Sequence, residues 1–146
     1  MNKQYQIWTD GGARGNPGSA AIGFVIKCDG KIVKTGSKYI GHKTNNQAEY
    51  EALIEALTEL IEYTDITNTT QSTDIMIYTD SQLMAFQVTG RYKVKNANLQ
   101  DLLTTTHSKL SKFQNFKITP IPRDENQEAD RLVNLALDTQ ILSNKS

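Results

Sequence analysis

Cysteine is nearly absent from this chain: Cys28 is the only one in 146 residues, so no disulfide can form within it and a reducing compartment is favoured. Placed in a strand-like run, Cys28 reads as a small core residue rather than a nucleophile. Excess charge of either sign is also missing, with sixteen basic and sixteen acidic residues. A nucleic-acid partner is usually announced by a basic surplus, so any such role has to rest on how charges are distributed, since acids gathered at one place can cancel basic residues spread over a face. There is no N-terminal basic and apolar signal pattern, and no apolar run is long enough to span a bilayer. These absences predict a cytoplasmic protein with no membrane partner. Only three prolines interrupt the chain, and its 38% hydrophobic and 22% charged content is ordinary for a folded domain. A single domain over residues 1–142 is expected, working as a monomer, with a frayed tail over 143–146.

Against that plain background, two stretches read almost alike. Ile7-Trp8-Thr9-Asp10 and Ile77-Tyr78-Thr79-Asp80 are apolar strand-like runs that each stop at an aspartate. Parallel strands in one sheet would bring both acids to its carboxyl edge, where open α/β sheets place their ligand sites. Two ionised carboxylates held that close repel unless a cation lies between them, which points to a divalent metal.

Strands are predicted over Tyr5–Asp10, Ala20–Lys27 and Lys31–Ile40, the last two joined at Cys28-Asp29-Gly30. Gly11 to Gly18, dense in turn dipeptides, reads as a shaped loop. Thr44-Asn45-Asn46-Gln47 has the capping-box form and opens a helix with an inward stripe of Ala52, Leu53, Ala56, Leu57, Leu60 and Ile61. Glu51, Glu55, Glu59 and Glu62 fall on the other side as a solvated face, while Glu49 projects from near the inward one. Asp65 to Thr73 reads as a polar loop, and Asp74–Thr79 as a central strand. Ser81–Val88 reads as a short helix, Leu99–Phe113 as a longer one, and Phe116–Ile121 as a last strand ended by prolines. Asp124 to Gln127 again has capping-box spacing before a final helix through Ile141, with Asp130 at the edge of its inward stripe, an expensive place for a free acid.

Four acids therefore stand out by position: Asp10, Glu49, Asp80 and Asp130. Each has an ordinary alternative. Asp80 could simply cap a helix, Glu49 gains from a helix dipole, and Asp130 could pair with Arg123 or Arg131. Their joint occurrence is what hard oxygen-seeking cations such as Mg²⁺ would require.

The ordered set Thr9-Asp10-Gly11-Gly12 with Asn16-Pro17-Gly18, Thr44-Asn45-Asn46-Gln47-Ala48-Glu49, Thr79-Asp80-Ser81-Gln82 and Asn126-Gln127-Glu128-Ala129-Asp130 resembles type 1 ribonuclease H, over nearly the whole chain. The resemblance implies a five-stranded mixed sheet, three antiparallel strands then two parallel ones, flanked by helices. It implies endonucleolytic hydrolysis of the RNA strand of RNA/DNA hybrids, without sequence preference, leaving 5′-phosphate and 3′-hydroxyl ends. By resemblance Asp10 bridges two Mg²⁺ ions, with Mn²⁺ a possible substitute; Glu49 and Asp80 complete the site of one, and Asp130 helps hold the other with the attacking water. Gly11, Gly12, Asn16, Asn45, Gln47 and Gln82 match positions that meet the minor groove or sugars of the hybrid, where 2′-hydroxyls suit neutral donors and acceptors. Thr44 and Asn96 match parts of a pocket for a DNA-strand phosphate, with Lys95 nearby; Thr44 could equally do no more than cap its helix.

The chain also departs from the pattern. Val88 to Asn98 is too short for the basic protrusion of well-studied bacterial members, which predicts weaker binding and a shallower salt dependence. The loop histidine that many members carry before the last helix is missing, since the only histidines are His42 and His107. Slower turnover is expected unless Arg123, Asp124 or Glu125 substitutes. His107 reads as a surface residue, and His42 as a candidate DNA-phosphate contact. Two other readings stay open: a hybrid- or RNA-binding module with little catalysis, and a DNA nuclease or strand-transfer enzyme on a related sheet.

Overall fold

The structure, a computed structural model, describes residues 3–144. Its elements run β1 (Lys3–Gly15), β2 (Gly18–Cys28), β3 (Lys31–Lys43), α1 (Asn45–Asp65), β4 (Thr73–Thr79), α2 (Gln82–Val88), α3 (Ala97–Leu110), β5 (Asn115–Pro120) and α4 (Gln127–Asn144). Short 3₁₀ turns at Thr70–Ser72 and Arg123–Glu125 precede β4 and α4. The five strands form one sheet in the order β3-β2-β1-β4-β5. β1, β2 and β3 are antiparallel, and β4 and β5 lie parallel to β1 and to each other. This is the mixed sheet that the motif order implies.

Alternation along the strands divides the core between two faces. Tyr5, Ile7, Phe24, Ile26, Ile75 and Ile77 pack with Leu53, Leu57 and Leu60 of α1. On the opposite face Ala21 meets Val133, Ala136 and Leu137 of α4. Both helices come unusually close because glycines meet them. A Cβ on Gly11 would collide with the Ala48 carbonyl of α1, and one on Gly23 with the Ala129 carbonyl of α4.

Several expectations are revised. Gly11 to Gly18 is no free loop: β1 continues to Gly15, paired with β2, and the reversal is confined to Gly15–Gly18 around a cis Asn16–Pro17 peptide. Ladder hydrogen bonds along this stretch outweigh its turn-rich composition. The last helix begins at Gln127 rather than at Asp124, because Arg123–Glu125 forms a 3₁₀ turn and Asn126, 1% exposed, is drawn inward. That helix continues to Asn144, so Ser143 and Asn144 are helical; the tail expected at Lys145 and Ser146 falls outside the described residues. α3 ends at Leu110, leaving Phe113 to turn into the core. The glutamate face of α1 is only partly solvated: Glu59 and Glu51 are half-buried against β3, paired with Lys34 at 2.7 Å and Lys43 at 3.7 Å. His107 lies at the surface as expected, and its Nε2 is 2.8 Å from the Val88 carbonyl at the end of α2.

Candidate active site

The parallel register of β1 and β4 aligns Thr9 with Thr79, so Asp10, still within β1 and paired with Gly23 of β2, and Asp80, just past the end of β4, lie side by side at the carboxyl edge of β4. Asp80 is free of the capping role its position allowed. Ser81 is the residue that caps α2, its Oγ accepting from the Met84 N–H at 3.1 Å. Glu49 reaches the same edge from the first turns of α1, whose start is set by the capping box read from sequence: Thr44 Oγ1 accepts from the Gln47 N–H at 3.1 Å, and Gln47 Oε1 from the Thr44 N–H at 2.9 Å. Glu49 Oε1 then accepts from the Gly11 N–H at 2.7 Å, so the glycine that lets the helix approach also holds its carboxylate.

One carboxylate oxygen from each of Asp10, Glu49 and Asp80 lies within 4.8 Å of the others. Asp130, from the first turn of α4, stands beside this triple and lines a cavity of about 410 Å³ with Asp10 and Glu49, together with Gly11, Gly12, Arg14, Asn45 and Arg123. Its helix is tied to β1 by Asn126, whose Nδ2 donates to the Thr9 carbonyl at 2.8 Å. Burial pushes the Asp10 carboxyl up to about 8, aided by the charges of Asp80 and Asp130. Burial likewise drives Glu49 well above the usual carboxylate range, with Asp10 and Asp80 adding to the effect. The Arg123 Nε lies 3.4 Å from Asp80 Oδ2, an atom that is buried and has no hydrogen-bond partner. All-oxygen donors, mutual repulsion and a buried carboxylate oxygen without a hydrogen bond fit a hard divalent cation.

The other expected site residues fall into three groups. Gly11, Gly12 and Asn45 belong to the acid cavity. Asn45 also fastens the β1–β2 hairpin to α1: its Oδ1 accepts from the Ala13 N–H at 2.8 Å, and its own N–H donates to Asn16 Oδ1 at 3.0 Å. Asn16, Thr44, Gln47 and Asn96 line a second cavity of about 320 Å³, where the N-terminus of α1 meets that of α3, itself capped by Asn96. Gln82 and Lys95 are exposed and line neither cavity. Thr44 therefore caps its helix and faces the second cavity at once.

Two residues near the acids carry more than their sequence context suggests. Arg123, weighed only as a stand-in for a histidine or a partner of Asp130, is the counter-ion of Asp80. Asn126, quoted only as part of a motif, is a buried tether. The charged residue right after Pro122 was the available signal for the first; nothing local to Asn126 reveals Thr9 as its partner.

Fold and acid cluster together define the ribonuclease H-like class of α/β proteins. The family model described as "Reverse transcriptase-like" matches residues 8–136. A ribonuclease HI of Halobacterium salinarum is 42% identical over 130 residues, covering 88% of this chain and 62% of that protein. A bifunctional protein of Mycobacterium tuberculosis is 38% identical over 134 residues, covering 90% of this chain and 35% of its own length. The chain thus spans less than two thirds of these two relatives. The solved structure of LC11 ribonuclease H1, isolated from compost, matches with a TM-score of 0.87 at 40% identity, covering 97% of this chain and 99% of that one. The same protein in complex with an RNA/DNA hybrid matches with a TM-score of 0.86 at 40% identity, covering 94% of this chain and 99% of that one. The chain belongs to the type 1 ribonuclease H family.

Proposed function

We propose that this protein is a metal-dependent endonuclease that hydrolyses the RNA strand of RNA/DNA hybrids regardless of sequence, leaving 5′-phosphate and 3′-hydroxyl ends. The observation that carries the reading is the triple of carboxylates from β1, α1 and β4, with donor atoms within 4.8 Å of one another. Asp10, Glu49 and Asp80 would hold one Mg²⁺, and Asp10 with Asp130 a second. Bound there, such ions supply an activated water and offset charge on the phosphate being cut. The rest falls to the chain itself. The Gly11 N–H keeps Glu49 oriented, and Asn126 holds the start of α4 against β1, so the acids are placed before substrate arrives. Arg123 neutralises part of the Asp80 charge and, being 83% exposed at its side chain, can turn toward a phosphate. As a guanidinium it can replace the charge of the missing loop histidine but not its proton transfer. On the second cavity, the converging N-termini of α1 and α3 offer positive dipole ends to a DNA-strand phosphate.

The test is incubation of the purified protein with end-labelled RNA/DNA hybrid, single-stranded RNA, double-stranded RNA and double-stranded DNA, in Mg²⁺, in Mn²⁺ and in chelator. Metal-dependent internal cuts confined to the RNA strand of the hybrid are expected, and Asp80→Asn is expected to abolish them while hybrid binding persists. Binding of hybrid without cutting would make the protein a recognition module instead.

A further inference from the structure

Two arginines line the acid cavity, and only Arg123 touches an acid in the cluster. Arg14, near the end of β1, is turned toward α4: its Nη2 is 2.8 Å from Asp138 Oδ1 and 3.4 Å from Asn134 Oδ1. Both partners are exposed, with side chains 42% and 63% accessible, and a pair of that kind contributes little to stability. Holding α4 in place is thus a weak explanation, the more so since Gly23 and Asn126 already fix that helix to the sheet. What the contact does accomplish is orientation. Only Nη2 is engaged, and among the described residues Nε and Nη1 make no hydrogen bond. Its Nε–H and Nη1 hydrogens therefore remain free to donate to a phosphate. Among the described residues, Arg14 and Arg123 are moreover the only cations lining the cavity, which otherwise presents the acids Asp10, Glu49 and Asp130 to a polyanion.

We infer that Arg14, aimed by Asp138 and Asn134, binds a backbone phosphate of the strand being cut, on the α4 side of the acid cluster. It serves as a fixed substrate contact in a chain without a basic protrusion. The strand assignment follows from place. Arg14 shares the cavity of the carboxylates, whereas the capped helix ends lie in the other one. The inference rests on the hybrid-nuclease reading above.

The experiment compares steady-state hybrid cleavage by wild type, Arg14→Ala, Arg14→Lys and Lys31→Ala at several salt concentrations, with thermal melts of all four. Lys31, in the β2–β3 turn region at the opposite end of the sheet, controls for loss of one charge anywhere. Arg14→Ala is expected to raise KM roughly tenfold with kcat within about twofold, and to flatten the slope of log KM against log salt by about 0.7 to 0.9, one phosphate contact. Arg14→Lys is expected to restore the slope but only part of the KM, and Lys31→Ala to match wild type. All melting temperatures should agree within about 2 °C. A neutral methylphosphonate linkage beside the cut in the RNA strand should weaken wild type and leave Arg14→Ala indifferent. The inference is overturned if Arg14→Ala melts lower with KM unchanged, if Lys31→Ala has the same effect, or if only linkages in the DNA strand matter. A wild type that cuts no hybrid would instead remove the underlying functional reading.

Discussion

Replacing Asp10 by asparagine should make the metal-free protein more stable while destroying its activity, and the gain should depend on pH in a defined direction. Asp10 is 6% exposed and its carboxyl is raised from 3.8 to about 8, chiefly by burial and then by Asp80 and Asp130. Because its pKa is higher folded than unfolded, Asp10 contributes stability below about pH 4, where both states hold the proton. That contribution is lost as pH rises toward 8, because the unfolded chain releases a proton that the folded one retains. At about 1.4 kcal/mol per tenfold change in the proton equilibrium, the ceiling is about 6 kcal/mol. The four acids share their repulsion, so a single substitution should recover roughly 2–3 kcal/mol, or a melting temperature higher by about 5–10 °C for a domain of this size. The assay is thermal unfolding of wild type and Asp10→Asn in chelator at pH 4 and pH 8.5. The variant should melt with wild type at the lower pH and well above it at the higher. Added Mg²⁺ should raise the melting temperature of wild type at pH 8.5 and leave the variant nearly unmoved. Equal stability at pH 8.5, or a gain as large at pH 4, would show that the acids do not strain one another as argued.

Two further substitutions test how the site is held. Gly11→Ala places a methyl group against the Ala48 backbone, so α1 must shift; a loss of at least 3 kcal/mol in urea denaturation is expected, with activity falling further than stability alone explains. Asn126→Ala removes the buried hydrogen bond to the Thr9 carbonyl, which should cost about 1–3 kcal/mol. Its cleavage rate should drop without vanishing, because Asp130 is displaced rather than removed; unchanged kinetics would dismiss Asn126 as a tether.

Much of this architecture was legible because its signals are local. The reciprocal bonds of Thr44 and Gln47 were readable from a four-residue spacing, and they fix where α1 starts and hence where Glu49 points. The twin strands ending at Asp10 and Asp80 announced themselves by composition, and a parallel sheet then leaves few ways to arrange them. What escaped depends on partners far along the chain. Gly11 reads as a turn residue, yet its role is to admit the backbone of α1, 37 positions on at Ala48. Asp124 to Gln127 has the spacing of a cap but follows Pro122, and the inward pull on Asn126 winds the segment into a 3₁₀ turn first. The Arg123–Asp80 pair joins residues from different connections on the same sheet edge, which no periodicity reveals.

The bare-backbone contacts at Gly11 and Gly23 have a consequence for how this site can evolve. Spacing between the acid-bearing helices and the sheet is gauged there by main chain against main chain, and the main chain is the one part of a protein that substitution leaves alike. Leucines and isoleucines deeper in the core can be exchanged, repacked and traded for stability while this reference surface stays where it is. Drift in the interior should therefore register first as a change in melting temperature, and only late as a change in the separation of the carboxylates.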